Sequence, residues 1–185
     1  MIQIKEVNSA KEMKQFVDLP FEIYKDNPYW VPSLKKEELK SFDANNDIFK
    51  TVDATFFLAF KNNEVVGRVV AIINWTEVKK LNKSKVRFGW LSFKEDINIL
   101  KALLTAVENV GKIKQLSYIE GPMGFSNMDK AGMLTDGFDR VATLIGLYNK
   151  EYYPQYIQEL GYKPKAEWLE YAIDIENLQS VKKKK

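Results

Sequence analysis

The sequence has neither cysteine nor histidine among its 185 residues. The lack of cysteine excludes disulfide bonds and thiol nucleophiles, and the lack of both excludes a Cys/His zinc site. A Ser-His-Asp triad is excluded because its general base is a histidine. Any catalysis must therefore rely on carboxylates, on Tyr, Lys, Ser or Thr side chains, or on backbone amides, and we expect no metal site.

Arginine is scarce, with only Arg68, Arg87 and Arg140 against 25 lysines. Four lysines stand at positions 182–185, and without them the formal net charge falls from +3 to −1. A nearly neutral body poor in arginine does not predict nucleic-acid binding, because arginine is the better side chain for bidentate recognition of bases and phosphates. No signal peptide pattern and no apolar run of membrane-spanning length occurs. We therefore expect a cytoplasmic protein that binds neither nucleic acid nor membrane.

Apolar periodicity predicts one mixed α/β (α+β) domain over residues 1–176, with the lysine-rich residues 177–185 as a disordered tail. The predicted order is β-α-α-β-β-β-α-β-loop-α-β. The strands are expected at 2–7, 55–60, 65–74, 86–93, 116–120 and 168–175, and the helices at 9–24, 34–42, 96–111 and 150–160. The segment 77–85 is expected to be an exposed connection. Pro20 is expected to break or restart the first helix, and Gly89 to mark a β-bulge.

A long segment without periodicity, residues 121–137, holds four of the nine glycines. Unstructured loops of this length are uncommon in compact domains and are often binding elements. Phe125, Ser126 and Asn127 are therefore candidates for substrate binding. The alternative is a surface loop whose glycines only satisfy turn geometry.

Nucleotide-binding fingerprints are missing, since neither GxxxxGK[ST] nor GxGxxG occurs. Tyrosines crowd the last predicted helix, where Tyr152 and Tyr156 are four residues apart and so share one helical face. Packing of these rings against the sheet is the simpler explanation, and a role in proton transfer is the alternative.

Two segments resemble the GNAT superfamily of acyl-CoA N-acyltransferases. FLAF and VVGR, within residues 57–68, resemble its central hairpin, and NKEYYPQY, which starts at Asn149, resembles its late helix. The order of elements agrees over nearly the whole chain. The resemblance implies a mixed, mostly antiparallel central sheet flanked by helices.

A narrower resemblance links the chain to an uncharacterised bacterial GNAT-like group. It rests on NPYWVP at 27–32, on GPMGFS at 121–126, and on residues 132–138. Members of that group continue into further sequence. The resemblance therefore leaves open that this chain is an N-terminal portion and that its partners include a further domain of the same protein.

The resemblance also implies a reaction. The cosubstrate would be acetyl-CoA or another acyl-CoA, and a small-molecule amine would attack the thioester directly, so that neither cysteine nor histidine is needed. Glu120 would be the base and Tyr156 the acid, while an ordinary strand-end carboxylate is the alternative for Glu120. The implied cofactor-binding residues, with the oxyanion donor among the backbone amides of the first three, are Gly89, Trp90, Leu91, Lys94 and Asn149.

One segment departs from the superfamily pattern. Where GNAT enzymes carry a glycine-rich loop for the CoA pyrophosphate, residues 93–98 read FKEDIN, with no glycine and two acidic residues. Two functions therefore stay open. One is an acyl-CoA-dependent N-acyltransferase acting on an unidentified small amine. The other is a non-catalytic GNAT-like ligand-binding or interaction module that has lost the pyrophosphate loop.

Overall fold

Five strands form one sheet in sequence order in the computed structural model, which describes residues 1–143 and 146–171. Neighbouring strands are antiparallel, except that the fourth and fifth are parallel. The strands are β1 (Ile2–Glu6), β2 (Val52–Lys61), β3 (Glu64–Asn74), β4 (Lys85–Phe93) and β5 (Tyr118–Glu120). The predicted mixed, mostly antiparallel sheet flanked by helices is confirmed.

The six described helices are α1 (Ala10–Ile23), α2 (Lys35–Ser41), a 3₁₀ helix (Asp47–Lys50), α3 (Trp75–Lys80), α4 (Ile97–Ile113) and α5 (Tyr152–Glu159). Four of them begin at a side-chain cap, and α2 and α5 do not. Ser9 Oγ accepts from the Glu12 amide, as in a capping box, and Glu12 Oε2 accepts from Ser9 Oγ and from the amide of Asn8, the residue before the N-cap. Asp96 caps α4 in a similar way, by accepting from the Asn98 amide.

Helices cover both faces of β3, because successive side chains of a strand point to opposite sides. Val69, Ala71 and Ile73 face α4, whose apolar stripe packs on them. Val70 and Ile72 face the other side, where α1 contributes Phe16 and Val17. Nearly all of β3 is buried, which explains the almost continuous run of apolar residues in its sequence.

Several elements differ from the sequence-based expectation. α1 runs through Pro20 to Ile23 instead of breaking. α4 does not end at Gly111 but continues to Ile113. A side chain at position 111 would lie 2.7 Å from Val86 on β4, so the glycine allows the helix to pack closely on the sheet. The segment 77–85, expected to be exposed, begins within the short helix α3, and it buries Glu77 and Lys85.

The last predicted strand, residues 168–175, is not formed over the four of its residues that the structure describes. Residues 168–171 have no regular structure, and residues 172–175, like the lysine-rich residues 177–185, lie outside the described residues. None of the helices within 1–143 and 146–171 combines the length and the hydropathy of a membrane span.

Candidate functional site

The sheet opens beside β4. β4 pairs with β5 over only three residues, from Lys85 opposite Tyr118 to Arg87 opposite Glu120. The amide of Met123 still donates to the Phe88 carbonyl at 2.9 Å, and the chain then leaves the sheet as the loop 121–137. Among the described residues no strand pairs with β4 on this side between Gly89 and Phe93. We call this stretch the open edge of β4.

A bulge distorts β4 at the start of the open edge. Gly89 is opposite Val70 and Ser92 is opposite Arg68, so Trp90 and Leu91 face a single residue of β3. Trp90 has a φ of 49°, in the left-handed region. A side chain at position 89 would lie 2.4 Å from the Met123 carbonyl oxygen, which explains the glycine. The bulge predicted at Gly89 is therefore present.

A cavity of about 650 Å³ lies beside the bulge. Its walls come from the end of α1, from α2, from β3 and β4, from the loop 121–137 and from the segment before α5. Many of the lining side chains are aromatic or sulfur-containing: Phe21, Tyr24, Trp30, Trp90, Met123 and Phe125. Phe125 and Trp90 pack with their ring centroids 4.6 Å apart. Volume and lining are those of a small-molecule site.

Three tyrosine hydroxyls meet at the end of the open edge. The Phe93 amide donates to Tyr153 Oη at 2.9 Å, and Tyr152 Oη donates to the Phe93 carbonyl at 2.6 Å. Tyr24 Oη lies 3.3 Å from Tyr153 Oη. Tyr24 comes from the helix on one face of the sheet and Tyr153 from the helix on the other, and they meet where β5 has diverged. Tyr24 and Tyr153 both line the cavity.

Burial keeps these phenols protonated. Desolvation raises the pKa of Tyr24 to about 12, although the hydrogen bond with Tyr153 opposes the shift. Desolvation also raises the pKa values of Tyr152 and Tyr153 above the ordinary value for tyrosine. At neutral pH each hydroxyl is therefore a proton donor and not a phenolate.

An ion pair forms part of the cavity wall on the α2 side. Arg68 Nη1 lies 2.9 Å from Glu38 Oε1, and both side chains are only 7% exposed. Arg68 Nε also donates to Ser92 Oγ at 3.4 Å. Glu38 Oε2 has no hydrogen-bond partner among the described residues. Since no fully buried side-chain oxygen of those residues lacks a partner, Oε2 keeps some accessible surface, and Glu38 lines the cavity. The site thus contains a carboxylate that is held in place through one oxygen.

The structure places the two predicted catalytic residues away from the cavity lining. Glu120 Oε2 lies 2.7 Å from Lys85 Nζ, and Glu120 Oε1 lies 2.7 Å from Lys165 Nζ. Burial alone would raise the pKa of Glu120, but hydrogen bonds from the two lysines outweigh it and lower the pKa. A lower pKa makes a weaker base. Tyr156 packs against the core with its ring centroid 5.6 Å from that of Tyr152.

Asn149, predicted to bind the cofactor, lines the cavity but uses its amide group inside the protein. Its Oδ1 accepts from the Leu134 amide at 2.7 Å, and its Nδ2 donates to the Leu134 carbonyl at 3.1 Å. The side chain therefore clamps the loop 121–137 to the start of the last helix. Lys94 is exposed, outside the lining, and lies 3.9 Å from Glu64. Gly89 is buried next to the lining residues Trp90 and Leu91.

Of the three residues predicted to bind substrate, only Phe125 lines the cavity. Ser126 Oγ accepts from the Met128 amide, which makes it part of a turn. Asn127 Oδ1 accepts from Arg87 Nη2 at 2.7 Å. Both side chains thus fix the shape of the loop and lie outside the lining.

A buried charge cluster, which we did not expect from the sequence, anchors this loop. Glu77 Oε2 lies 2.6 Å from Arg87 Nη2 and 3.3 Å from Lys85 Nζ. Arg87 Nη1 donates to the Gly124 carbonyl at 2.9 Å. The cluster therefore ties the loop to β4, directly before the open edge. Glu77 and Lys85 belong to a lysine-rich stretch, and such stretches usually indicate a solvated face.

The N-terminus of α4, where the resemblance places the CoA pyrophosphate, is capped by the protein itself. Asp96 Oδ1 accepts from the Asn98 amide at 2.9 Å, and Asp96 Oδ2 lies 2.9 Å from Lys61 Nζ. Both hydrogen bonds lower the pKa of Asp96, and the one from Lys61 has the larger effect. The carboxylate therefore stays charged at the helix end. No group of three or more acidic side chains within 1–143 and 146–171 is arranged to hold a metal ion.

Two curated proteins are similar to this chain in sequence, although no protein-family model matches it. Protein YghO of Escherichia coli K12 is 28% identical over 154 residues, which are 83% of this chain and 40% of that protein. A bacterial ceramide synthase of Caulobacter vibrioides is 24% identical over 170 residues, which are 91% of this chain and 44% of that protein. The chain thus spans less than half the length of either relative.

Solved structures agree with the architecture. AAC(6')-Iy bound to the bisubstrate analogue CoA-S-monomethyl-acetylneamine superposes with a TM-score of 0.59 at 14% identity, over 94% of this chain and 99% of that one. An aminoglycoside acetyltransferase from a soil metagenome, in complex with sisomicin, superposes with a TM-score of 0.56 at 14% identity. The superposition covers 94% of this chain and 96% of that one. A predicted acetyltransferase of Clostridium acetobutylicum with acetyl-CoA superposes with a TM-score of 0.53 at 16% identity, over 93% of this chain and 96% of that one. The chain has the GNAT acetyltransferase fold.

Proposed function

We propose that the chain is an N-acyltransferase, or the corresponding part of a longer one, that moves an acyl group from acyl-CoA to a primary amine. The observation that carries the proposal is the cavity at the bulged, open edge of β4, which has the Glu38 carboxylate in one wall and the Tyr153 phenol in another. Two solved structures of this fold hold acetyl-CoA or a CoA bisubstrate analogue. A ceramide, the product named for one relative, is an N-acylated amine.

The residues around the cavity can provide the proton transfers that aminolysis of a thioester requires. Glu38 Oε2 takes a proton from the substrate ammonium, and the neutral amine then attacks the thioester carbonyl carbon. As the C–S bond breaks, the Tyr153 hydroxyl protonates the thiolate, and the proton lost by the amine nitrogen restores the phenol. The products are the amide, CoA thiol and one proton for the solvent. General acid–base steps of this kind contribute roughly 10²–10⁴-fold each.

Backbone amides of the bulge are the proposed oxyanion donors. Trp90 and Leu91 together face a single residue of β3, so the bulge changes the direction of the strand's amides at the edge of the cavity. A preorganised donor of this kind is worth about 2.7–4 kcal/mol when it faces the charge that develops on the carbonyl oxygen. Glu120 and Tyr156 stay as the alternative base and acid.

A non-catalytic GNAT-like module is the second candidate, and two observations favour it. Asp96 keeps a negative charge at the N-terminus of α4, where it would repel a pyrophosphate. The amide and carbonyl of Phe93, which an extended ligand could pair with at the open edge, already bind Tyr153 and Tyr152. A cosubstrate that lies along this edge must displace those hydroxyls.

Incubation of the chain with an acyl-CoA and a primary amine decides between the two candidates. Acetyl-CoA, hexanoyl-CoA and palmitoyl-CoA are each combined with short and long amines, and CoA thiol and amide are measured, the amide by mass spectrometry. We expect equal amounts of thiol and amide, and a rise of Tm with the acyl-CoA that reacts. Neither product nor a Tm shift with any pair would overturn the proposal. A Tm shift without product would favour the binding module.

A further inference from the structure

The cavity is large and apolar compared with the small amine expected from the sequence. Tyr24 stacks on Trp30 with centroids 5.1 Å apart, and Phe21 meets Trp30 edge-on at 5.2 Å. Trp90 and Phe125 form a second aromatic wall. A volume of about 650 Å³ is in the range that encloses a ligand of many heavy atoms. A short amine would leave most of this apolar surface against water.

Three acidic and two basic side chains line the cavity, namely Glu37, Glu38, Asp129, Arg68 and Lys130. Glu37 is exposed, Asp129 accepts from the Ser126 amide, and Arg68 uses Nη1 and Nε to bind Glu38, the Phe16 carbonyl and Ser92. Glu38 Oε2 is the oxygen of that pair that stays accessible, and its side chain is only 7% exposed. A carboxylate oxygen that the walls of a mostly apolar cavity shield from bulk water makes strong charge-assisted hydrogen bonds, because competition from water is small.

We propose that the acceptor is a primary amine that carries an apolar chain. Its ammonium group donates to Glu38 Oε2, and its chain lies between the aromatic walls formed by Trp30 and by Trp90 with Phe125. This inference rests on the proposed function and deepens it, because it names the class of amine that the same site accepts.

Binding of n-alkylamines tests the inference without any acyl transfer. n-Hexylamine, n-octylamine and n-decylamine are titrated into the chain, with the n-alkanols of the same lengths as uncharged controls. Binding is followed by calorimetry and by the fluorescence of Trp30 and Trp90, which line the cavity. We expect affinity to rise roughly threefold to fourfold per methylene, and each amine to bind about tenfold or more tighter than its alkanol.

Two matched variants locate the ammonium site. Glu38→Gln keeps an oxygen for Arg68 but removes the charge, so we expect the preference for amine over alkanol to disappear while alkanol affinity stays within about twofold. Glu37→Gln removes the neighbouring carboxylate, which is exposed and also lines the cavity, and should leave most of the preference. If both variants lost the preference for amine over alkanol equally, the acidic side chains of this surface would attract the amine without a specific site, and the inference would be overturned. The wild-type comparison stands even if Glu38→Gln does not fold.

The possible failures are distinguishable. Alkylamines that bind no better than alkanols, or with no dependence on chain length, overturn the inference, and acyl transfer to a short amine would then leave the proposed function standing. Chain-length-dependent amine binding that requires Glu38, without product from any acyl-CoA, supports the amine site and rejects the proposed reaction.

Discussion

Arg68 Nη1 donates a 2.8 Å hydrogen bond to the carbonyl of Phe16, the carbonyl that Pro20 leaves without a helical partner. In an uninterrupted helix the amide of residue 20 would bind this oxygen, but proline has no N–H. The guanidinium supplies the missing donor from β3, and α1 continues to Ile23, next to the cavity residue Tyr24. Because the same group binds Glu38, one side chain connects α1 and α2 to the sheet.

A double-mutant cycle tests whether the Arg68 guanidinium replaces the backbone N–H that Pro20 lacks. Arg68→Met should cost about 3–5 kcal/mol of unfolding free energy, because it leaves Glu38 and the Phe16 carbonyl buried without their partner. Adding Pro20→Ala should recover about 0.5–1.5 kcal/mol, since an amide at position 20 can bind the Phe16 carbonyl again. Urea denaturation of both single variants and the double variant gives the coupling energy. Strict additivity would contradict the explanation.

The second prediction concerns the buried charge cluster that holds the loop. Glu77→Gln leaves Arg87 and Lys85 as poorly compensated buried cations, so we expect a loss of about 3–5 kcal/mol and a fall in Tm of about 10 °C or more. Asp47→Asn is the matched control, because its pair with Lys50 is exposed and should contribute little. Thermal and urea unfolding measure both variants. Equal effects would mean that the cluster does not stabilise the fold.

The sequence predicted the fold better than it predicted the site. Strands and helices with strong apolar periodicity, such as β3 and α4, are determined by local pattern, and their positions agree with the structure to within a few residues. Pro20 was misleading because the donor that compensates for it, Arg68, is 48 positions away in the sequence. No local pattern contains that contact.

The site depends on contacts of the same long-range kind. Tyr153 and Tyr24 are 129 positions apart in the sequence and meet where β5 has diverged from β4, and Glu38 is bound to Arg68, which is 30 positions away. The resemblance to GNAT enzymes implied Tyr156 as the acid, whereas Tyr153, three residues earlier in the same helix, lines the cavity. Phe125, which was named because it lies in the glycine-rich loop, and Trp90, which was named from the resemblance to GNAT enzymes, both line the cavity, and their roles stay predictions.

The third prediction is a loss of stability at high pH. The pKa of Tyr24 is about 12 when folded and about 10 when unfolded. Between these values the unfolded chain has lost the phenolic proton and the folded chain keeps it, so stability is complete below pH 10 and falls as pH rises towards 12. Tyr24 should contribute a slope of up to about 1.4 kcal/mol per pH unit. Urea denaturation across this pH range should show that the unfolding free energy falls less steeply with pH in Tyr24→Phe than in the wild type. An unchanged slope would contradict the raised pKa of Tyr24.

The fourth prediction concerns the N-terminus of α4. If the CoA pyrophosphate lies there, Glu95→Gln should tighten CoA binding by about twofold to fivefold, because it removes an exposed like charge. The gain should shrink at higher ionic strength. Calorimetric titration with CoA measures both effects, with Glu22→Gln on α1 as the control for net charge. Weaker or unchanged binding in Glu95→Gln would place the pyrophosphate elsewhere.

The last prediction decides which tyrosine donates the proton to the leaving thiolate. Tyr153→Phe should lower kcat by about 10²-fold or more, because it removes the hydroxyl of a residue that lines the cavity and leaves the ring in place. It also removes the acceptor of the Phe93 amide, so stability should fall by about 1–3 kcal/mol. Rates are therefore measured at a temperature at which circular dichroism shows every variant to be folded. Tyr156→Phe is the matched control, since that ring packs one turn away in the core cluster, and its activity should stay near that of the wild type. Full activity in folded Tyr153→Phe together with a large loss in Tyr156→Phe would return the acid role to Tyr156.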